Sequence, residues 1–285
     1  MIIIADSGST KTDWVLAAPG GDIIQQIKTE GINPVHQNED DILHTLTCMS
    51  SMVQPTASEA AIEAIFFYGS GLRPEYQPLL TRLLARHFQL STDAVQAEGD
   101  LLGAARALCG HGEGIACILG TGANSCLYDG RHIVQNTPPM GYILGDEGSG
   151  AVLGRNLLNA LYKGLLPTAL REDFEKEMHT DLADVIAHVY RQPLPNRYLA
   201  SLSPFIARHL SDCPALSQML IESFQLFIRR NIAPYQHPHL PLSATGSIAH
   251  YYHAELSQAA SLEGYRLGHV VKAPIEGLIA FHTGQ

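Results

Sequence analysis

The chain has 285 residues, with 18 Lys and Arg against 28 Asp and Glu, a net charge of −10 with histidine neutral; 46% of it is apolar and 16% charged. These proportions exclude a disordered or fibrous chain. The acidic balance argues against nucleic acid or an anionic membrane as the main partner.

Residues 1–28 predict a β-meander. Ile2–Ala5 is a strand, Asp6-Ser7-Gly8-Ser9-Thr10 a tight polar turn, Thr12–Ala17 a second strand, and Asp22–Lys28 a third after Pro19-Gly20-Gly21. The run Met1–Ala5 is too short for a signal peptide and lacks a basic flank. Glu39–Met52 reads as helix. Ala61–Tyr68 reads as a buried strand ending in Gly69-Ser70-Gly71. Glu75–Phe88 follows as helix and Ala94–Ala97 as a short strand. Asp100 then stands as N-cap to a helix over Leu101–Leu108.

The pattern then restarts. Ile115–Leu119 is a strand, Gly120-Thr121-Gly122 a turn, Asn124–Tyr128 a strand, and Asp129-Gly130 a hairpin turn into Arg131–Gln135. Gly8 and Gly120 head two similar strand–turn–strand units, which suggests an internal duplication with an offset of 112 residues. Ser149–Lys163 is a helix, two or three more follow, and Pro214–Ile232 carries the clearest apolar stripe. Leu240–Ala244 is a strand that breaks at Thr245-Gly246-Ser247 into a helix near Ile248–Ser261. Tyr265–Val271 is a late strand and Pro274–Phe281 a closing helix. No low-complexity linker interrupts the chain, and no apolar run approaches the roughly 18 residues of a membrane span.

Five widely spaced cysteines without C-x-x-C read as scattered buried thiols of a cytoplasmic protein. Fourteen histidines show no zinc spacing, and there is no P-loop and no G-x-S-x-G. Five segments could carry chemistry. Asp6–Asp13 offers small residues whose N–H groups could ring an anion, a carboxylate for a hydrated cation, and Lys11 for a phosphate; a plain hairpin explains it equally well. Leu119–Ser125 is a second such hairpin. At Ala244–Ala249 a strand ends in small residues and a helix starts at once, a corner for a flat ligand or a phosphate, or simply a βα turn. Gly145-Asp146-Glu147-Gly148-Ser149-Gly150 sets two acids among three glycines before a helix; capping by Asp146 or Ser149 is the alternative. Asp100 is either a helix cap or a general base.

In this order, the segments resemble the phosphate and adenosine motifs of the sugar kinase, Hsp70 and actin superfamily, and within it the N-acetylglucosamine kinase and BadF-type ATPase family. Asp6–Thr12 is similar to the first phosphate motif, Leu119–Ser125 to the second, and Ser243–Ala249 to the adenosine motif, with Ser247 where a second glycine is usual. Gly141–Ser149 is close to that family's G-D-E-G-S segment. Asn33, in Gly31-Ile32-Asn33-Pro34, falls where the family carries a sugar-contacting Asn, and Asp100 followed by Gly103 matches its catalytic Asp. The matches run over nearly the whole chain. The resemblance implies an α/β fold of two ribonuclease H-like, actin-like ATPase domains with a hinge and a cleft between them. The first would be 1–108 plus 274–285, and the second 109–273 with a helical insertion.

The resemblance further implies ATP-dependent phosphorylation of an amino sugar, N-acetylglucosamine at its 6-hydroxyl, with Asp100 as base. ATP would be held by Gly8, Ser9, Thr10, Lys11, Thr12, Gly120, Thr121, Gly122, Thr245, Gly246 and Ser247. Sugar would meet Asn33, Asp100, Thr121, Asn124, Gly141, Tyr142 and Asp146, and Mg²⁺ would be held through water by Asp6 and Asp146. Pro139-Met140-Gly141-Tyr142 departs from the mammalian enzymes, which carry Trp before G-D-E-G. The zinc signature of the related ROK sugar kinases is absent. The alternatives are a BadF-type activator coupled to electron transfer, its iron–sulfur cluster drawn from Cys109, Cys117 and Cys126, and a nucleotide-dependent regulator of the same fold. The expected partner is a small sugar, with no nucleic acid and no membrane. The short length for two such domains leaves room for a homodimer.

Overall fold

The computed structural model describes residues 1–8, 10–54 and 61–284. It divides into two compact units. One comprises Met1–Gly112, Asp129–His132 and the stretch from Ala273; the other comprises Glu113–Tyr128 and Ile133–Lys272.

The first unit is built on β1 (Ile2–Ser7), β2 (Lys11–Ala17), β3 (Ile23–Glu30), β4 (Ala64–Gly69) and β5 (Val95–Gly99), in the order β3-β2-β1-β4-β5. The meander β1-β2-β3 is antiparallel, and β4 and β5 run parallel to β1. The unbroken apolar start of the chain follows from its central place, where both faces are buried. Ile3 and Ala5 join Trp14, Leu16 and Phe67 in the cluster shared with α1 (Glu39–Ser51) and α2 (Gln77–Phe88). Ile2 and Ile4 join Val15 and Tyr68 under the C-terminal helix (Ile275–Thr283). Each such fully buried side chain contributes roughly 1.5–3 kcal/mol. Helix α1 starts in a capping box between Asn38 and Asp41. Helix α3 spans Asp100–Cys109, so Asp100 is its first residue and Gly99 its N-cap.

The second unit repeats the plan. Strands β6 (Gly114–Leu119), β7 (Ala123–Tyr128), β8 (Ile133–Gln135), β9 (Leu242–Thr245) and β10 (Leu267–Val271) lie in the order β10-β9-β6-β7-β8. Again the first three are antiparallel and the last two parallel to the first. Strands β6 and β7 each begin 112 residues after β1 and β2 (Gly114 against Ile2, Ala123 against Lys11). The duplication suggested by the glycine turns is thus a duplication of topology. Between β8 and β9 lie α4 (Gly141–Leu144), α5 (Gly150–Tyr162), α6 (Thr168–Glu177), α7 (Leu182–Tyr190), α8 (Pro195–Ala200), α9 (Ser203–His209) and α10 (Pro214–Phe227). The corner after β9 leads into α11 (Ser247–Tyr251) and α12 (His253–Leu262).

Several boundaries differ from the sequence reading. The stripe over 214–232 is helical only to Phe227 and then widens into a π-turn over Ile228–Ile232. The helix expected over 248–261 breaks at Tyr252. After α5 the insertion holds five helices, α10 among them, not two or three, and turns at His179 and Leu194, both at positive φ, help divide it. Among the described residues no helix is long and apolar enough to cross a membrane.

Candidate functional site

In the first unit, three strands end at one level. Ser7 pairs with Gly69 across β1 and β4, and Gly69 pairs with Gly99 across β4 and β5. The residues that follow therefore meet at the carboxyl edge of a parallel sheet, where α/β proteins bind ligands. Asp6 lies one place below this edge, and Ser70 and Asp100 one place above it. Ser70 is anchored by its N–H to the Ser7 carbonyl at 2.7 Å, and its side chain hydrogen-bonds the Asp100 carboxylate.

Both carboxylates here are reluctant to ionise. Burial pushes Asp6 up to about 7, with the charges of Asp100 and Asp13 adding and Lys11 opposing. Burial pushes Asp100 up to about 6, against the stabilising hydrogen bonds of Ser70 and of the Leu101 and Asp100 N–H groups. The hairpin beside them is tight: Gly8 N–H donates to the Lys11 carbonyl at 2.9 Å. Thr10 and Lys11 are exposed, and the Lys11 ammonium is held by Asp13. Thr12 is fully buried. Its hydroxyl donates to the Glu30 carbonyl at 3.1 Å and lies 2.8 Å from the Ser7 hydroxyl, so it braces the hairpin from inside. Ser9 lies outside the described residues.

The Ser7 hydroxyl also accepts the Ile32 N–H at 2.9 Å. This ties the 31–34 loop to the hairpin and sets Asn33 in place. Asn33 Oδ1 accepts the Val35 N–H at 3.0 Å, so its Nδ2 is the donor end of the side chain. That amide rests on Gly71, at φ +74°, where a Cβ would come within 3.1 Å of Asn33 Nδ2. Asp6, Asp100, Ser70, Gly71 and Asn33 form one site. Ser70 and Gly71 stood in the sequence only as the end of a buried strand; three small residues at that place were the available signal.

In the second unit, the N-terminus of α5 is already engaged. Gly150 and Ala151 N–H groups donate to the carbonyls of Gly120 and Thr121 at 2.8 and 3.1 Å, and the Ser149 hydroxyl accepts the Val152 N–H at 3.2 Å. Ser149 is thus the cap, and the helix start locks the Gly120–Gly122 hairpin. The Thr121 side chain is exposed, and Gly120 has open space where a Cβ would sit. Asp146 holds a left-handed backbone, φ +52°. Its carboxylate accepts the N–H groups of Gly141 and Ala123, which oppose the burial and the Glu147 charge that push it up to about 6. A Cβ on Gly122 would lie 3.0 Å from Asp146 Oδ2. So Asp146, Gly141 and the second hairpin converge.

The neighbouring acid behaves oppositely. Burial works to raise Glu147, but Arg230 at 2.8 Å and Asn231 at 3.1 Å hold it below its ordinary value. Glu147 is therefore an anchor to the π-turn, a role the sequence reading missed. Asn124 Oδ1 accepts from the Ser125 N–H and from Asn136 Nδ2, both at 2.9 Å. Tyr142 is half-buried, its carbonyl bound by Arg155 at 3.0 Å.

The β9 corner sits directly against this hairpin. Gly246 has φ +117°, and a Cβ there would meet the Leu119 carbonyl oxygen at 2.2 Å. Only glycine permits that approach. Thr245 is buried with its hydroxyl lacking a hydrogen-bond partner among the described residues, while Ser247 is exposed. Among the described residues no cluster of three or more His, Cys, Asp or Glu side chains could ligate a metal.

No family profile and no curated protein sequence matches the chain. Solved structures do. A candidate N-acetylglucosamine kinase from Porphyromonas gingivalis is 48% identical, with 100% of this chain and 99% of that one covered and a TM-score of 0.93. A second candidate N-acetylglucosamine kinase, from Chromobacterium violaceum, is 16% identical over 99% and 98% of the two chains, TM-score 0.74. A ROK family glucokinase from Streptomyces griseus, solved with glucose and AMPPNP, is 12% identical over 98% of each, TM-score 0.59. The last two are similar in fold alone.

Proposed function

Because the chain belongs to the N-acetylglucosamine kinase family of the sugar kinase, Hsp70 and actin superfamily, and is an ATP-dependent phosphotransferase with an alcohol acceptor, we propose that it phosphorylates N-acetylglucosamine, or a related amino sugar, at the 6-hydroxyl, with Asp100 as general base. The observation that carries this reading is the Asp100 carboxylate itself. It stands at the carboxyl edge of the sheet, on the first residue of a helix, hydrogen-bonded by a serine, with its pKa pushed up to about 6. A base that titrates close to neutral pH is both ionised and able to hold a proton.

In this reading Asp100 accepts the proton of the sugar hydroxyl as that oxygen forms its bond to the γ-phosphorus, and the bond from phosphorus to the departing ADP oxygen breaks. Such a transition state is loose, so positioning and charge neutralisation carry most of the catalysis. Asn33 is a candidate donor to the sugar in the first unit beside Asp100; Thr121, the Asn124 amide, Gly141, Tyr142 and Asp146 are the sugar candidates carried by the second unit. The backbone of Gly8, Thr10, Gly120 and Gly122 and the hydroxyls of Thr10 and Thr121 are candidates for the phosphates. Thr245, Gly246 and Ser247 are candidates for the adenosine. Lys11 opposes phosphate charge. Magnesium, when bound, neutralises phosphate oxygens. The Asp6 carboxylate, buried and crowded by the charges of Asp100 and Asp13, fits a hydrated cation. Asp146 fits less fully, since two backbone N–H groups already share its carboxylate.

The cysteines weigh against an iron–sulfur activator. Cys117 pairs with Ser125 and Cys126 with Ala116 across β6 and β7, so Cys117 and Cys126 face opposite sides of the sheet. The test of the sugar is an ADP-release assay across N-acetylglucosamine, glucosamine, N-acetylmannosamine and glucose. Stimulation by N-acetylglucosamine with a 6-phosphate product supports the reading. Equal, unstimulated hydrolysis with every sugar overturns it and favours a regulator.

A further inference from the structure

We infer that Ser70 is a positioning residue for phosphoryl transfer, one that orients the Asp100 carboxylate toward the acceptor hydroxyl; this rests on the assignment of Asp100 as the base.

The geometry fixes both partners independently. Ser7, Gly69 and Gly99 stand side by side in register on β1, β4 and β5. One residue beyond, Ser70 and Asp100 leave adjacent parallel strands at the same height. The Ser70 backbone cannot drift, because its N–H is bonded to the Ser7 carbonyl at 2.7 Å, continuing the ladder past the strand end. Asp100 cannot drift either, because it opens α3, and α3 is pressed onto β4 at Gly103, where a Cβ would lie 2.8 Å from the Tyr68 ring.

The Asp100 carboxylate is stabilised by the Ser70 side chain and by the backbone N–H groups of the helix start at Asp100 and Leu101. The two backbone donors belong to the helix start and are present whatever residue follows Gly69. Of these three groups, the Ser70 hydroxyl comes from outside the helix. It therefore selects the side-chain rotamer that the helix start alone leaves open. Flanking glycines suit this role: Gly69 and Gly71 leave the serine the only side chain of its tripeptide, and Gly71 at φ +74° turns the chain away after it.

The test is steady-state kinetics on Ser70→Ala and Ser70→Thr beside Asp100→Asn, with melting temperatures for each. Ser70→Ala should lower kcat about 10- to 100-fold, the range of a hydrogen bond to a charged group, with the KM for ATP and the melting temperature nearly unchanged. Ser70→Thr, which keeps the hydroxyl, should recover most of the rate. Wild-type kcat in Ser70→Ala while Asp100→Asn is inactive overturns the role of Ser70 and leaves the base standing. A loss in Ser70→Ala that Ser70→Thr does not recover, or that comes with a falling melting temperature, makes Ser70 merely structural and also overturns it. Near wild-type transfer by Asp100→Asn removes the base, and the inference with it.

Discussion

Replacing Gly103 by alanine sets two effects of opposite sign against each other. In an unhindered helix interior, Gly→Ala stabilises by about 1 kcal/mol. At this position the new methyl would lie 2.8 Å from Cγ and Cδ1 of Tyr68 and 2.9 Å from its Cβ, where ordinary contact begins at 3.4 Å. Those atoms are the root of a fully buried ring, not the end of a flexible chain. The ring's far end is pinned as well, its hydroxyl accepting from Arg106 at 2.8 Å and bonded to His282 at 2.7 Å. Tyr68 cannot swing aside, so α3 must lift by roughly half an ångström. Overpacking of this kind costs about 1–3 kcal/mol or more, which outweighs the propensity gain. The expected net effect is a melting temperature lower by roughly 2–8 °C.

The shift also has a catalytic reading, because α3 begins with Asp100. A displacement approaching 1 Å at a reacting group can cost about 10²-fold in rate. Calorimetry together with sugar-dependent ADP release measures both consequences. A Gly103→Ala protein that melts at or above the wild-type temperature and retains full kcat would refute the close packing of α3 on Tyr68 as the device that seats the base.

Three further expectations follow from the same geometry. Asp100→Asn should reduce sugar phosphorylation by at least about 10³-fold, while ATP binding measured by calorimetry stays near wild type; transfer at a near wild-type rate would sink the base assignment. The pH dependence has a definite sign. Asp100 titrates at about 6 when folded against an ordinary 3.8, so kcat/KM should fall as pH drops through about 6. For the same reason the folded state binds this proton more tightly than the unfolded chain, and the associated stability is lost as pH rises from about 4 through 6. Asp100→Asn should therefore raise the melting temperature more at pH 8 than at pH 5, and an equal rise at both would contradict the buried, charge-averse site. Gly246→Ala should destabilise by more than about 2 kcal/mol in urea unfolding, since φ +117° and a 2.2 Å clash with the Leu119 carbonyl act together; a neutral result would mean the β9 corner does not rest on the second hairpin.

Much of the architecture was readable in the order of residues, because it is written in local signals. The apolar run at Ile2–Ile4 and the small-residue turns at Gly8 and Gly120 mark the repeated meander, and the offset of 112 residues reappears in the strand starts. The same signals sufficed for the family, as the 48% identical relative bears out. What misled the reading was also local. An unbroken apolar stripe does not reveal that the helix widens after Phe227, where Asn231 reaches across to Glu147.

The sequence by itself determined the α/β duplication, the place of the glycine turns and the type of each candidate side chain, since these depend on periodicity and backbone permissiveness over a few residues. Only the tertiary structure decided what each polar group does. Asp146 and Glu147 are adjacent acids in the same glycine-rich segment, yet burial leaves one above its ordinary pKa and a pairing with Arg230 and Asn231 holds the other below it. Thr10 and Thr12 are alternate residues of one motif, yet one is exposed and the other braces the interior. Ser70 is an ordinary strand-end residue until β4 and β5 bring it beside Asp100. Charge state and hydrogen-bond partner are set by neighbours distant in the chain, and no local pattern of residues can encode them.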